Sequence, residues 1–263
     1  VTTTAQGPSP WTLGDFHVIG APATIVGEYL CDDCSIGAGH RVLDVACGSG
    51  NTALSAARRG AAVTGLDLVD KLIDRARIRA QAEGFRIEFQ TGNAEALPYE
   101  DDSFDDVLST FGVMFAPNQE KAADELLRVC RRGGTIGLAN WTLESLPGAL
   151  FALASKHAAP PPGTRPAIEW GTVPGLQRLF SNRVEHVRLI DHCFQARYAS
   201  ADHWLATFKE YFGPMRMLYE RVPAEQHAAV DDEVRSLILR YNRATDGTLS
   251  VAMSYINAIL IKR

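Results

Sequence analysis

Two carboxylates flanking a pair of glycines are the side chains here whose types and spacing could do chemistry together. Asp44 lies inside the short apolar run Val42-Leu43-Asp44-Val45, four places before Gly48, and Gly50 follows it. Asp67 closes a second apolar run, Ala61–Leu66. Apolar runs of this length suit buried parallel strands. Glycines placed after such a strand allow a tight turn or a close approach of backbone to ligand. Asn51 and Thr52 are helix-capping types, and the Ala/Leu pattern behind them suits a helix. Strand, glycine turn and helix start together form a cradle of the nucleotide-binding kind.

The acid bears on which ligand that cradle takes. Gly48-Ser49-Gly50-Asn51-Thr52-Ala53 fits the loose G-x-G-x-x-G/A dinucleotide pattern. Alone this is a weak signal, and it keeps an NAD(P)-dependent oxidoreductase open as a second reading. A dinucleotide sets its pyrophosphate at the helix N-terminus, where the charge of Asp44 would oppose it. The same charge favours a ligand carrying an ammonium and a sulfonium. At the end of the second strand, Asp67 can accept both ribose hydroxyls of an adenosine, with Leu68 against the adenine face.

The elements that must position these residues read as strand and helix in alternation. Ala61–Leu66 is followed by a helix over Asp70–Glu83, with Leu72, Ile73, Ala76 and Ala80 on one face. Ile87–Gln90 and Phe104–Ser109 are the third and fourth strands. Asn118–Cys130 is an amphipathic helix, and Arg131-Arg132-Gly133-Gly134 supplies the cations and glycine that end one. Thr135–Ala139 is the fifth strand. The alternation predicts an α/β fold, a doubly wound parallel sheet with helices on both faces. After Trp141 the rhythm changes. Leu146–His157 and Val173–Phe180 read as helices on either side of a stiff proline linker, Ala159–Pro166. Val184–Tyr198 and Leu249–Ile261 read as long strands, and Asp202–Met217 and Glu225–Asn242 as helices between them. Those helices exceed what a connection needs, which predicts a lid. The expected organisation is an N-terminal arm over 1–40, a cofactor-binding core over 41–142, and lid helices with the last two strands of the same sheet over 143–263, in one domain. The arm packs on the rim of the cofactor site or over the sheet edge.

Taken in order, these motifs resemble the class I S-adenosylmethionine-dependent methyltransferases from about Arg41 to Trp141. VLDVACGSG is similar to the glycine loop of that family, VTGLDL to its ribose-binding acid, and Thr91–Pro98 to its adenine-contacting turn. Phe104–Ser109 resembles the fourth strand, and Glu125–Gly134 the helix and turn before the fifth. The flavour is that of the small-molecule enzymes of the ubiquinone/menaquinone-biosynthesis type. Asn93 stands where the family often has Asp, and its amide oxygen still suits the adenine amino group. The resemblance implies a seven-stranded sheet in the order 3-2-1-4-5-7-6 with the last strand antiparallel. It implies S-adenosylmethionine as cofactor, with Asp44, Ala46, Cys47, Gly48 and Gly50 at the methionine end. Asp67 would take the ribose, Leu68, Asn93, Ala94 and Glu95 would surround the adenine, and Phe111 would lie beside the sulfonium.

The sulfonium activates the methyl, so the protein must place a nucleophile in line, about 3–3.5 Å away, in a dry pocket. The expected acceptor is a small aromatic or hydrophobic molecule. O-methylation is the first expectation, with N-, C- and S-methylation open. His17 is the candidate base at the entrance. Trp11, Phe16, Met114, His157, Trp170, Tyr211 and Met215 are the candidate acceptor contacts. A non-catalytic S-adenosylmethionine-binding protein is a further reading.

Composition narrows the field. The 263 residues are 46% hydrophobic with a net charge of −5, enough for a full core and without the basic face that nucleic acid needs. No stretch is long and apolar enough to span a bilayer. VTTTAQGPSP lacks the features of a signal peptide. Five scattered cysteines suit a reducing cytoplasm, and Cys31-Asp32-Asp33-Cys34, without a second ligand pair, reads as incidental thiols with no metal expected. The oligomeric state is open between monomer and homodimer.

Overall fold

The computed structural model describes residues 10–159 and 163–263. Its strands are β1 (Arg41–Val45), β2 (Ala62–Asp67), β3 (Glu88–Thr91), β4 (Phe104–Thr110), β5 (Cys130–Trp141), β6 (Val184–Tyr198) and β7 (Leu249–Lys262). They form one sheet in the order β3-β2-β1-β4-β5-β7-β6. The first five pair in parallel, and β7 runs antiparallel to both β5 and β6. This is the expected order and direction. The helices are α1 (Phe16–Gly20), α2 (Thr24–Asp33), α3 (Asn51–Arg58), α4 (Asp70–Ala82), α5 (Gln119–Val129), α6 (Leu146–His157), α7 (Val173–Phe180), α8 (Ala201–Tyr211), α9 (Gly213–Arg221) and α10 (His227–Tyr241).

Helices cover both faces of the central strands, which is why β1 is apolar on both faces. On one face α2, α3 and α4 bury Val26, Leu30, Leu54, Ile73 and Ala76. On the other, α5 and α7 bury Leu126, Leu127, Leu176 and Phe180. A third apolar cluster joins α6, α8, α9 and α10 through Leu146, Trp204, Met215, Leu218, Val234 and Ile238, with Leu249 and Val251 of β7. These helices form a lobe against the long antiparallel strands. Among the described residues, no helix is long and apolar enough to cross a membrane.

The structure corrects the predicted elements at particular points. Arg131-Arg132-Gly133-Gly134 does lie beyond α5, but it belongs to β5, which starts five residues earlier than expected, at Cys130. Cys130 is already extended (φ −74°, ψ 133°), and Gly133 (φ 67°) takes up a register shift opposite Phe104–Asp106. Predicted as one helix, Asp202–Met217 is broken at Phe212, which is extended. Pro214 has no N–H to continue the ladder. A Cβ on Gly213 would also lie 1.7 Å from the carbonyl oxygen of Pro10, so the break is where the arm docks. Glu225–Asn242 is shortened to α10 by a 3-10 turn over Ala224–Gln226. Residues 160–162 of the proline linker lie outside the described residues.

Candidate functional site

The glycine loop turns sharply at the end of β1. Ala46 (φ 55°), Gly48 (φ 56°) and Gly50 (φ 84°) all adopt left-handed backbone. Gly50 precedes α3 and has no side chain to cap it; Asp44 does so from the strand. Its Oδ2 accepts from the Ala53 backbone N–H at 2.8 Å. Its Oδ1 has no partner, although Asp44 is only 1% exposed. Burial, opposed by the Ala53 hydrogen bond and reinforced by nearby Asp67, pushes the Asp44 carboxyl up to about 8. A Cβ on Gly48 would meet nothing nearer than a Phe16 ring carbon at 3.9 Å, so the backbone there faces open room.

Asp67 braces the loop from β2. Its Oδ2 accepts from Gly48 N at 2.8 Å, and its Oδ1 from Val69 N at 2.9 Å. Burial raises this carboxyl too, against the amide bonds that lower it. On the outer flank, Arg79 of α4 donates to the Ser49 carbonyl and the Asn51 Oδ1, both at 2.7 Å. Asn51 in turn donates to the Gly20 carbonyl at 3.0 Å, which ties the arm to the loop. The His17 Nδ1 lies 3.0 Å from the Ser49 Oγ. Burial, then Arg75 and Arg79, hold its pKa below the usual histidine range.

A cavity of about 180 Å³ opens beside this loop. Asp44 lines it, as do Thr52 and Thr110, whose hydroxyls are 2.7 Å apart. Trp11 and Phe16 wall it from the arm, Phe111 and Trp141 from the ends of β4 and β5, Phe194 and Tyr198 from β6, and Trp204, Phe208 and Met215 from the lobe. Phe111, strained at φ 52°, stacks on Trp141 with ring centroids 3.6 Å apart. Among the described residues, Asp44 is the one charged side chain on the wall.

Of the residues predicted from sequence, Asp44, Ala46, Cys47, Gly48, Phe111, Trp11, Phe16 and Met215 converge on this cavity. Gly50 lies behind the loop, where a Cβ would press on Ala76 and Phe89 at 3.2–3.3 Å. Leu68, next to Asp67, is 44% exposed and is not on the cavity wall. The turn beyond β3 carries Asn93, whose Oδ1 accepts from Glu95 N at 2.9 Å, and Ala94, half-buried. Glu95 accepts from Asn118 N at 2.7 Å, at the start of α5.

Four candidate acceptor contacts and the candidate base are not on the cavity wall. Trp170 is fully buried edge-on to Phe180, in the core under α7, because an indole of that size is most stable packed. Met114 is buried in the same core. His157 pairs with Glu233 at 3.2 Å. Tyr211 meets the arm through its carbonyl, which accepts from Asp15 N at 3.0 Å. The cavity wall includes Phe208, Phe212 and Met215 and not Tyr211. His17 stands against the loop's outer side, and the sequence reading missed the wall residues Thr52, Trp141, Phe194, Tyr198, Phe208 and Met253. The alternation Phe194-Ala196-Tyr198 is a readable signal for one lining face. Cys31 and Cys34 are free and buried, with Cys31 pushed up to about 12 by burial. No metal-binding group of three or more ligands occurs among the described residues.

The family of methyltransferase domains matches residues 43–138. Rv1403c, an uncharacterised protein of Mycobacterium tuberculosis, is 39% identical over 236 residues, 88% of this chain and 86% of its own. A demethylmenaquinone methyltransferase of Clavibacter sepedonicus is 36% identical over 110 residues, 42% of this chain and 44% of its own. The crystal structure of the Bacillus subtilis YcgJ protein superposes with a TM-score of 0.62 at 23% identity, covering 91% of this chain and 99% of that one. With the sheet order and the glycine loop already described, the chain belongs to the class I S-adenosylmethionine-dependent methyltransferases, enzymes whose methyl donor is S-adenosylmethionine.

Proposed function

We propose that this methyltransferase acts on a small hydrophobic acceptor, aromatic at the methylated end, held in the cavity beside Asp44. The observation that carries this reading is the wall itself: one carboxylate at the loop end and aromatic or aliphatic side chains over nearly all the rest. The donor would take the loop side, at Asp44. A buried carboxylate oxygen without a partner is costly unless a ligand donor meets it, and the donor's ammonium is such a group. Asp67 keeps lone pairs for the ribose hydroxyls while its amide bonds hold it in place. Leu68, Asn93, Ala94 and Glu95 would surround the adenine.

When bound, S-adenosylmethionine supplies a methyl made electrophilic by its sulfonium. The stacked Phe111–Trp141 pair tolerates that cation through the ring faces. The arm acts as a cap and the lobe as a lid, and together they exclude water from the reacting atoms. No imidazole, amine or second carboxylate faces the cavity among the described residues, and burial raises the Tyr198 phenol. The acceptor therefore brings its own nucleophile: an ionising phenol or enol first, or a thiol.

The test is incubation with methyl-labelled donor and a panel of phenols, thiols, amines and quinols, read by mass spectrometry. The expected product is methylated aromatic or hydrophobic members, with charged ones untouched. Labelling confined to hydrophilic acceptors would overturn the reading. Donor binding without turnover of any member would favour a non-catalytic binding protein.

A further inference from the structure

Two threonines meet where the strand order reverses. From β1 the sheet runs to β2 and β3 on one side, and to β4 and β5 on the other. The crevice at the carboxyl ends of β1 and β4 is therefore the topological switch point, where open α/β sheets bind ligands. Thr52 stands in the first turn of α3, after β1 and the glycine loop, and Thr110 is the last residue of β4. Both line the cavity, and their hydroxyls are hydrogen-bonded at 2.7 Å.

Each is held from behind. A Cβ on Gly27 of α2 would lie 3.0 Å from the Thr52 Cα, so the two helices are in close contact there. The Ala53 N–H beside Thr52 is fixed on Asp44. Ser109 donates to the Val45 carbonyl at 2.7 Å and accepts from Val113 N at 3.0 Å. Phe111 N donates to the Ala139 carbonyl at 3.0 Å, so the chain is pinned on both sides of Thr110.

Two hydroxyls bonded to one another use one of their two protons. Burial decides which. Thr52 is 2% exposed, and its hydroxyl has no other hydrogen-bond partner among the described residues, so its proton goes to the Thr110 oxygen. Thr110 is half-buried, and its own proton is left for the cavity. The Ser49 hydroxyl, by contrast, is already met by His17 and Arg79. We propose that Thr110 is a catalytic residue whose O–H donates to the acceptor oxygen and favours its ionised form, with Thr52 positioning that proton. This rests on the reading that the acceptor occupies the cavity beside Asp44. The acceptor's proton leaves to solvent on ionisation. Its oxygen then bonds to the methyl carbon as the carbon–sulfur electron pair returns to sulfur, leaving an ether and a neutral thioether.

The titratable groups on the wall are Asp44, Cys47 and Tyr198. Burial raises the Cys47 thiol and the Tyr198 phenol, so both stay neutral near pH 7, and a bound ammonium fixes the charge of Asp44. The test uses the full chain saturated with S-adenosylhomocysteine and 4-nitrophenol, whose ionisation is read by absorbance against pH. The bound phenol should ionise about one pH unit lower in the wild type than in Thr110→Val, a roughly tenfold change in its acidity. Thr110→Ser should keep the wild-type titration, and Thr52→Val should shift it in the same direction as Thr110→Val but by less. The double variant of Thr52→Val with Thr110→Val strands no buried hydroxyl and should titrate like Thr110→Val. S-adenosylhomocysteine affinity should be unchanged in all four. Equal titrations of wild type and Thr110→Val, or no binding of the phenol, would overturn the assignment. So would a loss of S-adenosylhomocysteine affinity with the titration unmoved, which would give the pair to the donor's carboxylate. Methyl transfer from labelled donor to the same phenol is followed in parallel. Transfer with an unmoved titration defeats the role of Thr110 alone. A shifted titration without transfer defeats the phenol reading and supports the role of Thr110.

Discussion

The two ends of the cavity are built on different principles. The glycine-loop part, proposed for the donor, is short in sequence and made of directed hydrogen bonds: Asp44 on Ala53, Asp67 on Gly48 and Val69, and Arg79 on Ser49 and Asn51. The apolar part, proposed for the acceptor, draws on residues from Trp11 to Met253 and is held by ring stacking and aliphatic packing. Hydrogen bonds lose their value over a few tenths of an ångström or a few tens of degrees, so the donor end must be local and braced by strands. Apolar contact is non-directional and tolerates volume-conserving change, so the acceptor end can be assembled from distant segments. This predicts that donor and acceptor affinity respond to separate sets of substitutions.

The largest expected effect concerns the pH dependence of the ligand-free protein. With its carboxyl pushed up to about 8, folded Asp44 holds a proton that the unfolded chain releases near its ordinary value of 3.8. The folded state binds more protons between those values, so this contribution is fully present below the lower one and is lost as pH rises through the upper one. It amounts to several kcal/mol in order of magnitude. Asp44→Asn keeps an oxygen for Ala53 and should flatten this part of the profile. Urea denaturation from pH 4 to 9 checks it; matching slopes would place Asp44 in a more polar setting than its burial implies. Next, Asp67→Ala should weaken binding of the donor by about 1–3 kcal/mol, and unchanged affinity by calorimetry would take Asp67 out of the site. Phe208→Ala should raise the acceptor KM roughly tenfold, about 1.4 kcal/mol, with donor affinity held within about twofold. Equal losses at both ends would erase the distinction between them. The smallest effect belongs to His17→Ala: about 0.5–1 kcal/mol of donor affinity, through the lost contact with Ser49, and no change in the slope of log rate against pH. Selective loss of rate above the histidine pKa, restored by pre-ionised acceptors, would return His17 to the role of base.

The same contrast explains what the sequence discloses. The run from Arg41 to Leu54 carries its own structure, because strand, left-handed turn and helix start follow from neighbouring residues. Strand order and direction follow from the motifs once they are read in series. The acceptor wall depends on which aromatic residues a tertiary core absorbs. Trp141 and Trp170 look alike in the chain, yet one faces the cavity and the other is buried against Phe180. The break at Gly213-Pro214 has a local signal in the proline, but the apolar spacing runs on through it. Only the docking of Pro10 on Gly213 shows why the helix stops there. Arg131–Gly134 has the composition of a helix stop and serves as one; its pairing opposite β4 is a long-range event.

The central claim is that Asp44, a buried acid, selects a donor carrying an ammonium. Calorimetry with S-adenosylhomocysteine near pH 7, in buffers of different ionisation enthalpy, counts the protons exchanged on binding. A carboxyl held protonated in the free protein and ionised against the ammonium should release close to one proton per ligand. Asp44→Asn should release nearly none and bind about 10- to 100-fold more weakly. Equal proton counts for the two proteins, or equal affinities, would contradict the assignment.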